Sequence, residues 1–139
     1  MGSMYEFFEH TADLGLRVRA PTLDVLFVEA ARALFAAIVE DPGTIAATVT
    51  RPVEIAGTDR EYLLFDWLKE LLYLFDAEHL LFSRFEVRLD EKGLKATVSG
   101  EPLDRARHEL NHEVKAITYH GLKVEQTADG WLAEVIVDI

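Results

Sequence analysis

Residues 129–139 read DGWLAEVIVDI, and this stretch decides the fold class. Asp129-Gly130 is the strongest hairpin signal in the chain, because both residues suit a tight turn between antiparallel strands. After the turn, apolar side chains alternate with a second set that includes two carboxylates: Trp131, Ala133, Val135 and Val137 against Leu132, Glu134, Ile136 and Asp138. This alternation predicts a β-strand that reaches Ile139.

Other segments of the chain share this two-residue period. The clearest begins at Asp13 and places apolar residues on one face and polar residues or glycine on the other: Leu14, Leu16, Val18 and Ala20 against Asp13, Gly15, Arg17 and Arg19. Further strands are predicted at 5–9, 45–55, 85–89, 94–98 and 114–127, the last with a break at Gly121. The polar segment from Glu101 to His112 predicts a long loop.

Two segments have the period of amphipathic helices instead. The first follows Thr22, a good N-cap residue, and stops near Asp41-Pro42-Gly43, which cannot continue a helix. The second follows Thr58-Asp59 and covers Arg60–Asp76. Two helices and roughly seven strands predict an α+β fold: a single-domain sandwich of two main helices packed on a mainly antiparallel β-sheet.

The composition restricts the class of partner. Of 139 residues, 25 are acidic and 14 are basic, which gives a formal net charge of −11 at pH 7. Such a surface disfavours direct binding to a nucleic-acid backbone, since phosphate contacts need Lys and Arg. The chain has no Cys, which excludes disulfides, thiolate nucleophiles and Cys-type zinc sites. Its glycines form no phosphate-binding motif, and no Gly-x-Ser-x-Gly motif is present.

The N-terminal region lacks the pattern of a signal peptide, and no apolar run approaches the length of a membrane span. We therefore expect a soluble, cytoplasmic protein with no membrane partner. Met1-Gly2-Ser3 ahead of a second methionine is typical of a cloning remnant. The domain is accordingly expected to cover residues 4–139.

Two aspartates at the ends of predicted strands are the most informative candidate site residues. Asp13 begins the first clear strand, and Asp138 stands between Val137 and Ile139 in an apolar strand. An aspartate in that setting is costly to bury unpaired, so it faces solvent, accepts hydrogen bonds or meets a cation. If Asp13 and Asp138 come together, they form an oxygen site suited to Ca²⁺, Mg²⁺ or Mn²⁺, to which the C-terminal carboxylate of Ile139 could add a ligand.

Other charged residues have simpler interpretations. Lys115 stands in a predicted strand, where a lone lysine is usually a surface residue, although opposite a carboxylate pair it could bind a phosphate. Asp66 and Glu70 lie four residues apart on the polar face of the second helix, with Lys69 beside them. This pattern is typical of a solvated helix face.

Among the five histidines, only His108 and His112 have the spacing of metal ligands on one helix face. The surrounding segment contains Pro102 and has little apolar periodicity, so it does not favour a helix. We therefore interpret this pair as part of a solvated loop.

Four blocks of sequence together resemble the archease family. They are His10-Thr11-Ala12-Asp13, Trp67-Leu68-Lys69-Glu70-Leu71-Leu72-Tyr73, Glu113-Val114-Lys115-Ala116-Ile117-Thr118-Tyr119-His120 and Val137-Asp138-Ile139. The blocks occur in the family's order and extend over essentially the whole chain from Met4. Any one block alone is weakly specific, but four in order are specific. The resemblance implies an archease-like fold.

The resemblance also implies a function. It points to a non-enzymatic activator of the RtcB-type tRNA-splicing ligase, which joins RNA ends through a guanylylated histidine with GTP and Mn²⁺. An archease-like protein is expected to promote guanylylation and multiple turnover, and to place a divalent cation near the GTP triphosphate as pyrophosphate leaves. The partner is then the ligase, and tRNA is contacted only indirectly.

Carried onto this sequence, the resemblance implies that Asp13, Asp138 and the main chain of Ile139 bind the metal. The cation is expected to be Ca²⁺ in a crystal, and Mn²⁺ or Mg²⁺ in function. Three further residues are expected to contact a phosphate or the partner: Lys115, Glu70 and His10.

Two functions from other classes stay open at this point. The same carboxylates could serve a free-standing, divalent-metal-dependent phosphoester hydrolase, although two aspartates are few for a two-metal centre. The chain could also be a chaperone-like adaptor in RNA metabolism in which the metal is incidental.

Overall fold

The computed structural model describes residues 2–10 and 13–139. In these residues, five strands form the larger of two sheets: β1 (Met4–His10), β2 (Asp13–Ala20), β6 (Ala116–Ile117), β7 (Lys123–Thr127) and β8 (Gly130–Asp138). Strand β8 lies at the centre of this sheet. One side of β8 pairs antiparallel with β2, which in turn pairs with β1; the other side pairs with β7 near the start of β8 and with β6 near its end.

The other three strands are β3 (Val49–Ala56), β4 (Leu80–Asp90) and β5 (Gly93–Pro102). They form a smaller antiparallel sheet in the order β3-β5-β4. Gly100 of β5 allows a close approach to β4, because a Cβ atom there would lie 1.7 Å from the carbonyl oxygen of Leu81. A short 3₁₀ turn, Pro42–Thr44, precedes this sheet.

Helix α1 (Leu23–Ile38) lies between the two sheets. It begins at Thr22, whose Oγ1 accepts a hydrogen bond from the Val25 amide. Nearly every residue from Leu26 onward is buried, and the helix packs against β2 of the larger sheet and β4 of the smaller one. A helix that is apolar around most of its circumference requires cover on more than one side, and the two sheets provide it.

Helix α2 (Arg60–Glu78) packs beside α1 and keeps one face exposed. Asp59 caps it by accepting hydrogen bonds from the amides of Glu61 and Tyr62. The fully buried Trp67 donates its indole N–H to the carbonyl oxygen of Phe27 at 2.9 Å, which ties the two helices together. The helix ends at His79, which adopts the left-handed conformation (φ 56°) that terminates helices.

The predicted α+β class is confirmed, and the structure adds that the strands divide between two sheets. The predicted strand at 114–127 consists of β6 and β7, separated at Gly121, whose φ is 60°. The predicted loop begins two residues later than expected, because Glu101 and Pro102 still belong to β5. No helix within the described ranges is both long and apolar enough to cross a membrane.

Candidate metal site at one end of the larger sheet

The strand register places Asp13 directly opposite Asp138 at the end of the larger sheet. Directly opposed residues of antiparallel strands lie on the same face, with Cα atoms about 4.5–5.5 Å apart. Both aspartates are half-buried. Like charges in opposed positions repel each other, and a cation between them removes that repulsion. The expectation that Asp13 and Asp138 come together thus agrees with the backbone register.

Two further strands complete a row of four residues across this end of the sheet. His10 of β1 is opposite Asp13, and Ala116 of β6 is opposite Asp138. The Lys115 amide donates a hydrogen bond to the Asp138 carbonyl oxygen at 2.7 Å. Ile139 follows directly, half-buried against the core. Four of the predicted site residues therefore share this end of the sheet with Asp138.

The donor chemistry fits a hard divalent cation. Carboxylate and main-chain oxygens are the ligands that Ca²⁺, Mg²⁺ and Mn²⁺ prefer. Within residues 2–10 and 13–139, no group of three or more acidic or histidine side chains is arranged to hold a metal ion. The two aspartates would therefore supply only part of a coordination shell of about six to eight ligands. Water or groups from a partner would supply the rest.

Lys115 lines a cavity of about 620 Å³ between the end of α2 and the segment 103–115. Its apolar wall includes Ile38, Phe75 and Val114. In the described part of the chain, Lys115 forms no ion pair within 4.0 Å, with Asp138 or with any other acid. Lys115 is thus joined to the aspartate site through its backbone and also lines this cavity.

Glu70 lies in a different place. It lines a second cavity, of about 540 Å³, formed between α2 and β3. Lys69 and Tyr73 of α2 line the same cavity, together with Glu54 of β3. The structure therefore places Glu70 and Lys115 on separate cavities, although both were predicted to contact a phosphate or the partner.

The row that contains Glu134, four residues along β8 from Asp138, is fully charged and paired. Arg17 donates to Glu134 at 2.6 Å and lies 3.4 Å from Glu6, while Lys123 lies 3.7 Å from Glu134. The hydrogen bond from Arg17 to the Glu134 carboxylate raises the pKa of Arg17 above its ordinary value. These opposite charges satisfy one another across four strands, in contrast with the like charges at the sheet end.

Gly15 stands between the charged row and the aspartate pair. A Cβ atom at Gly15 would lie 2.3 Å from the ring of Phe8, so only glycine lets that ring cover the sheet. The Arg17 guanidinium lies over the same ring, 4.5 Å from its centroid. This packing fixes the outer face of the sheet next to Asp13 and Asp138.

The interpretation of His108 and His112 as a solvated loop is wrong for His108, which is buried. Its Nδ1 accepts the Asp104 amide at 2.9 Å, so Nε2 carries the proton and donates to Glu101 at 2.8 Å. Both ring nitrogens are thereby used, which excludes a metal site shared with His112. His112 lines the cavity that contains Lys115.

Sequence reasoning missed the buried carboxylate to which His108 is bonded. Glu101 also accepts the Ala46 amide at 2.7 Å and forms an ion pair with Arg107. The Ala46 hydrogen bond lowers the pKa of Glu101, helped by His108 and Arg107 and opposed by burial. The alternation of β5 continues through Glu101, but nothing local in the sequence signals these distant partners.

Comparisons with known proteins agree with this architecture. A model of the archease protein family matches residues 5–139. Protein archease of Methanosarcina acetivorans is 43% identical over 143 residues, covering 99% of this chain and 97% of that protein. Protein archease of Pyrococcus abyssi is 45% identical over 140 residues, covering 97% and 98%.

Solved structures show the same fold. The solution structure of protein 1598 from Methanobacterium thermoautotrophicum matches with a TM-score of 0.86 at 40% identity, covering 97% of this chain and 98% of that one. A crystal structure of a Thermotoga maritima protein, described as an archease and possible chaperone, matches with a TM-score of 0.66 at 24% identity, covering 98% of each chain. The resemblance seen in the sequence is confirmed: the chain belongs to the archease family.

Proposed function

We propose that this protein activates an RtcB-type tRNA-splicing ligase and does so by holding a divalent cation between Asp13 and Asp138. The activator would promote GTP-dependent guanylylation of the ligase and sustain its multiple turnover. Membership of the archease family supports the choice of function. The single observation that carries the site is the register that opposes the two aspartates on one face of the sheet.

Each site residue has a distinct role in this proposal. Asp13 and Asp138 bind the cation with their carboxylates, and Ile139 adds a main-chain oxygen. When bound, Mn²⁺ or Mg²⁺ supplies the positive charge that stabilises a triphosphate and its leaving group; Ca²⁺ would occupy the same oxygen ligands. The rest of the coordination shell stays open toward the ligase, which suits a protein that works inside another protein's active site.

Lys115 and His10 flank the aspartates. The Lys115 ammonium, with no ion pair in the described part of the chain, is available to a phosphate or to a carboxylate of the ligase. His10 is opposite Asp13 in the strand register at the same sheet end and would contact the partner there. The net charge of −11 favours contact with a basic protein surface over contact with tRNA itself.

A guanylylation time course of an RtcB-type ligase, with and without this protein, tests the proposal. Asp13→Asn and Asp138→Asn remove one negative charge each while preserving shape, so we expect both variants to lose the stimulation. Asp129→Asn is the matched control, because Asp129 is an exposed aspartate in the β7–β8 turn. The control should stimulate fully.

Calorimetric titration of the isolated chain with Mn²⁺ gives a readout that does not depend on the ligase. We expect saturable binding that Asp138→Asn abolishes and Asp129→Asn preserves. Full stimulation of the ligase by both site variants would contradict the proposal. Metal-dependent phosphoester hydrolysis by the isolated chain would instead favour the hydrolase alternative.

A further inference from the structure

The exposed face of α2 carries features that the aspartate site does not use. Tyr62, Asp66, Lys69 and Tyr73 recur at the spacing that places residues on one side of a helix. All four are exposed, and the tyrosines keep 58% and 60% of their surface accessible. Tyrosine is enriched in protein–protein interfaces, where its ring provides contact area and its hydroxyl provides a hydrogen bond. Large rings in this position therefore indicate a contact surface.

A third exposed tyrosine extends this surface. Tyr119, which follows β6, stacks on the buried Phe65 with ring centroids 3.9 Å apart and planes 13° apart. Tyr62 meets the Tyr119 ring edge-on, with ring centroids 5.7 Å apart. Tyr119 nevertheless stays 56% exposed. Rings already held in place lose little conformational entropy when a partner binds, which makes them effective anchors.

The cavity beside Tyr73 determines which charge this surface prefers in a partner. Three carboxylates and one ammonium line it: Glu54, Asp66 and Glu70 with Lys69. Within the described ranges, none of these three carboxylates forms an ion pair within 4.0 Å. The cavity thus has an excess of negative charge in a volume of about 540 Å³, enough for a large side chain. A guanidinium suits such a place, because it bonds carboxylates in pairs and stacks on aromatic rings.

We propose that the α2 face, defined as Tyr62, Asp66, Lys69, Glu70, Tyr73 and Tyr119, is a docking surface for a partner protein that presents arginine side chains. One arginine enters the cavity beside Tyr73, and the exposed tyrosines pack against the surrounding partner surface. The excess of carboxylates repels a nucleic-acid backbone, so the occupant is a protein. The proposal deepens the proposed function, on which it rests for the identity of the partner.

The α2 face is connected to the aspartate site through β6. Ala116 is opposite Asp138, and Tyr119 is three residues farther along the chain. Three residues span at most about 11 Å. Tyr119 is therefore close enough to the sheet end for one partner protein to contact both, so docking and metal delivery can occur in one complex.

The first experiment titrates the whole chain with a short peptide of alternating arginine and glycine, followed by NMR. We expect saturable shifts at the amides of α2 and at the rings of Tyr62, Tyr73 and Tyr119. The matched peptide with citrulline in place of arginine, which removes only the charge, should produce none. The double variant Tyr73→Ala/Glu70→Gln should bind the arginine peptide about tenfold more weakly.

Met4→Ala is the matched control, because Met4 is 54% exposed but lies in the strand at the opposite edge of the larger sheet. It should bind the peptide as the unmodified chain does. Four outcomes would each overturn the proposal. The shifts could be centred on the aspartate pair or spread over the whole surface. The double variant could bind the peptide equally well, or a single-stranded RNA could cause equal shifts.

The second experiment measures binding of an RtcB-type ligase to the same variants. Tyr73→Ala/Glu70→Gln should weaken ligase binding, whereas Asp138→Asn should bind normally but fail to stimulate guanylylation. Unchanged ligase binding by the double variant overturns the docking surface and leaves the proposed function intact. If the arginine peptide binds the α2 face but the ligase does not bind the chain, the proposed function fails and the docking surface stands.

Discussion

Two regions of the molecule hold carboxylates in different surroundings. At Glu101, both oxygens meet donors from the chain itself: the Ala46 amide, His108 and Arg107. At the sheet end, two carboxylates are opposed across β2 and β8. A buried acid with a complete set of internal donors stabilises the fold. A like-charged pair on opposed positions of a sheet gains stability from a cation supplied from outside, which is typical of a binding site.

The largest effect on stability is expected at Glu101, whose carboxylate has a complete set of internal donors. Glu101→Ala leaves the Ala46 amide and His108 without their acceptor, so the free energy of unfolding should fall by about 3 kcal/mol. Urea denaturation measures this loss, with the exposed Glu86→Ala as control. Mn²⁺ affinity should not change in either variant. A loss of metal affinity in Glu101→Ala, at temperatures where it stays folded, would show that the two regions are not independent.

The next largest effect on stability is expected from a cation bound by the opposed pair, Asp13 and Asp138. A cation that binds only the folded chain should raise the free energy of unfolding by about 2.7 kcal/mol at roughly 100 times its Kd. Thermal denaturation with and without Mn²⁺ measures this gain, which Asp138→Asn should eliminate. If the variant is stabilised as much as the unmodified chain, the cation binds elsewhere.

A smaller effect separates the two regions by pH. The folded-state pKa of Glu101 lies below its ordinary value of 4.5. Its contribution to stability is therefore complete above that value and is lost as pH falls through the folded-state pKa. Denaturation curves between about pH 6 and pH 3 should show a fall in stability that Glu101→Gln makes shallower. An unchanged slope in the variant would mean that other carboxylates dominate the acid response.

The smallest expected effect is a gain in stability caused by a substitution. Without metal, Asp138→Asn removes the repulsion from Asp13, so the variant should be more stable than the unmodified chain by about 0.5 kcal/mol. Denaturation in the presence of a chelator measures the difference, with Asp129→Asn as control. Destabilisation by Asp138→Asn under these conditions would show that the Asp138 carboxylate has a structural role.

The hydrophobic periodicity of each segment predicts most of the helices and strands. The apolar faces of β2 and β8 were read from alternation, and the same alternation put Asp13 and Asp138 on the outer faces of their strands. The pairing of these strands was not predictable, because each apolar strand could have paired with several others. The division into two sheets depends on such pairings, together with the close approach that Gly100 permits.

The site, like the pairing of the strands, depends on contacts between residues far apart in the sequence, which sequence patterns do not predict. His108 is predicted to be solvated because its acceptor, Glu101, falls in the segment predicted as a loop, whereas β5 continues to Pro102. The stacking of Tyr119 on Phe65 joins segments 54 residues apart, a separation that no spacing rule reports. Residues that act within one element were predictable from the sequence, whereas contacts between elements required the structure.

The most direct test of the opposed-carboxylate site is to locate the cation. Crystals of the protein grown with Mn²⁺ should show one strong anomalous peak between the carboxylates of Asp13 and Asp138, near the main chain of Ile139. Crystals of Asp138→Asn grown in the same way should lack that peak, and those of Asp129→Asn should keep it. A peak elsewhere, or none between the two aspartates at saturating Mn²⁺, would contradict the proposed site.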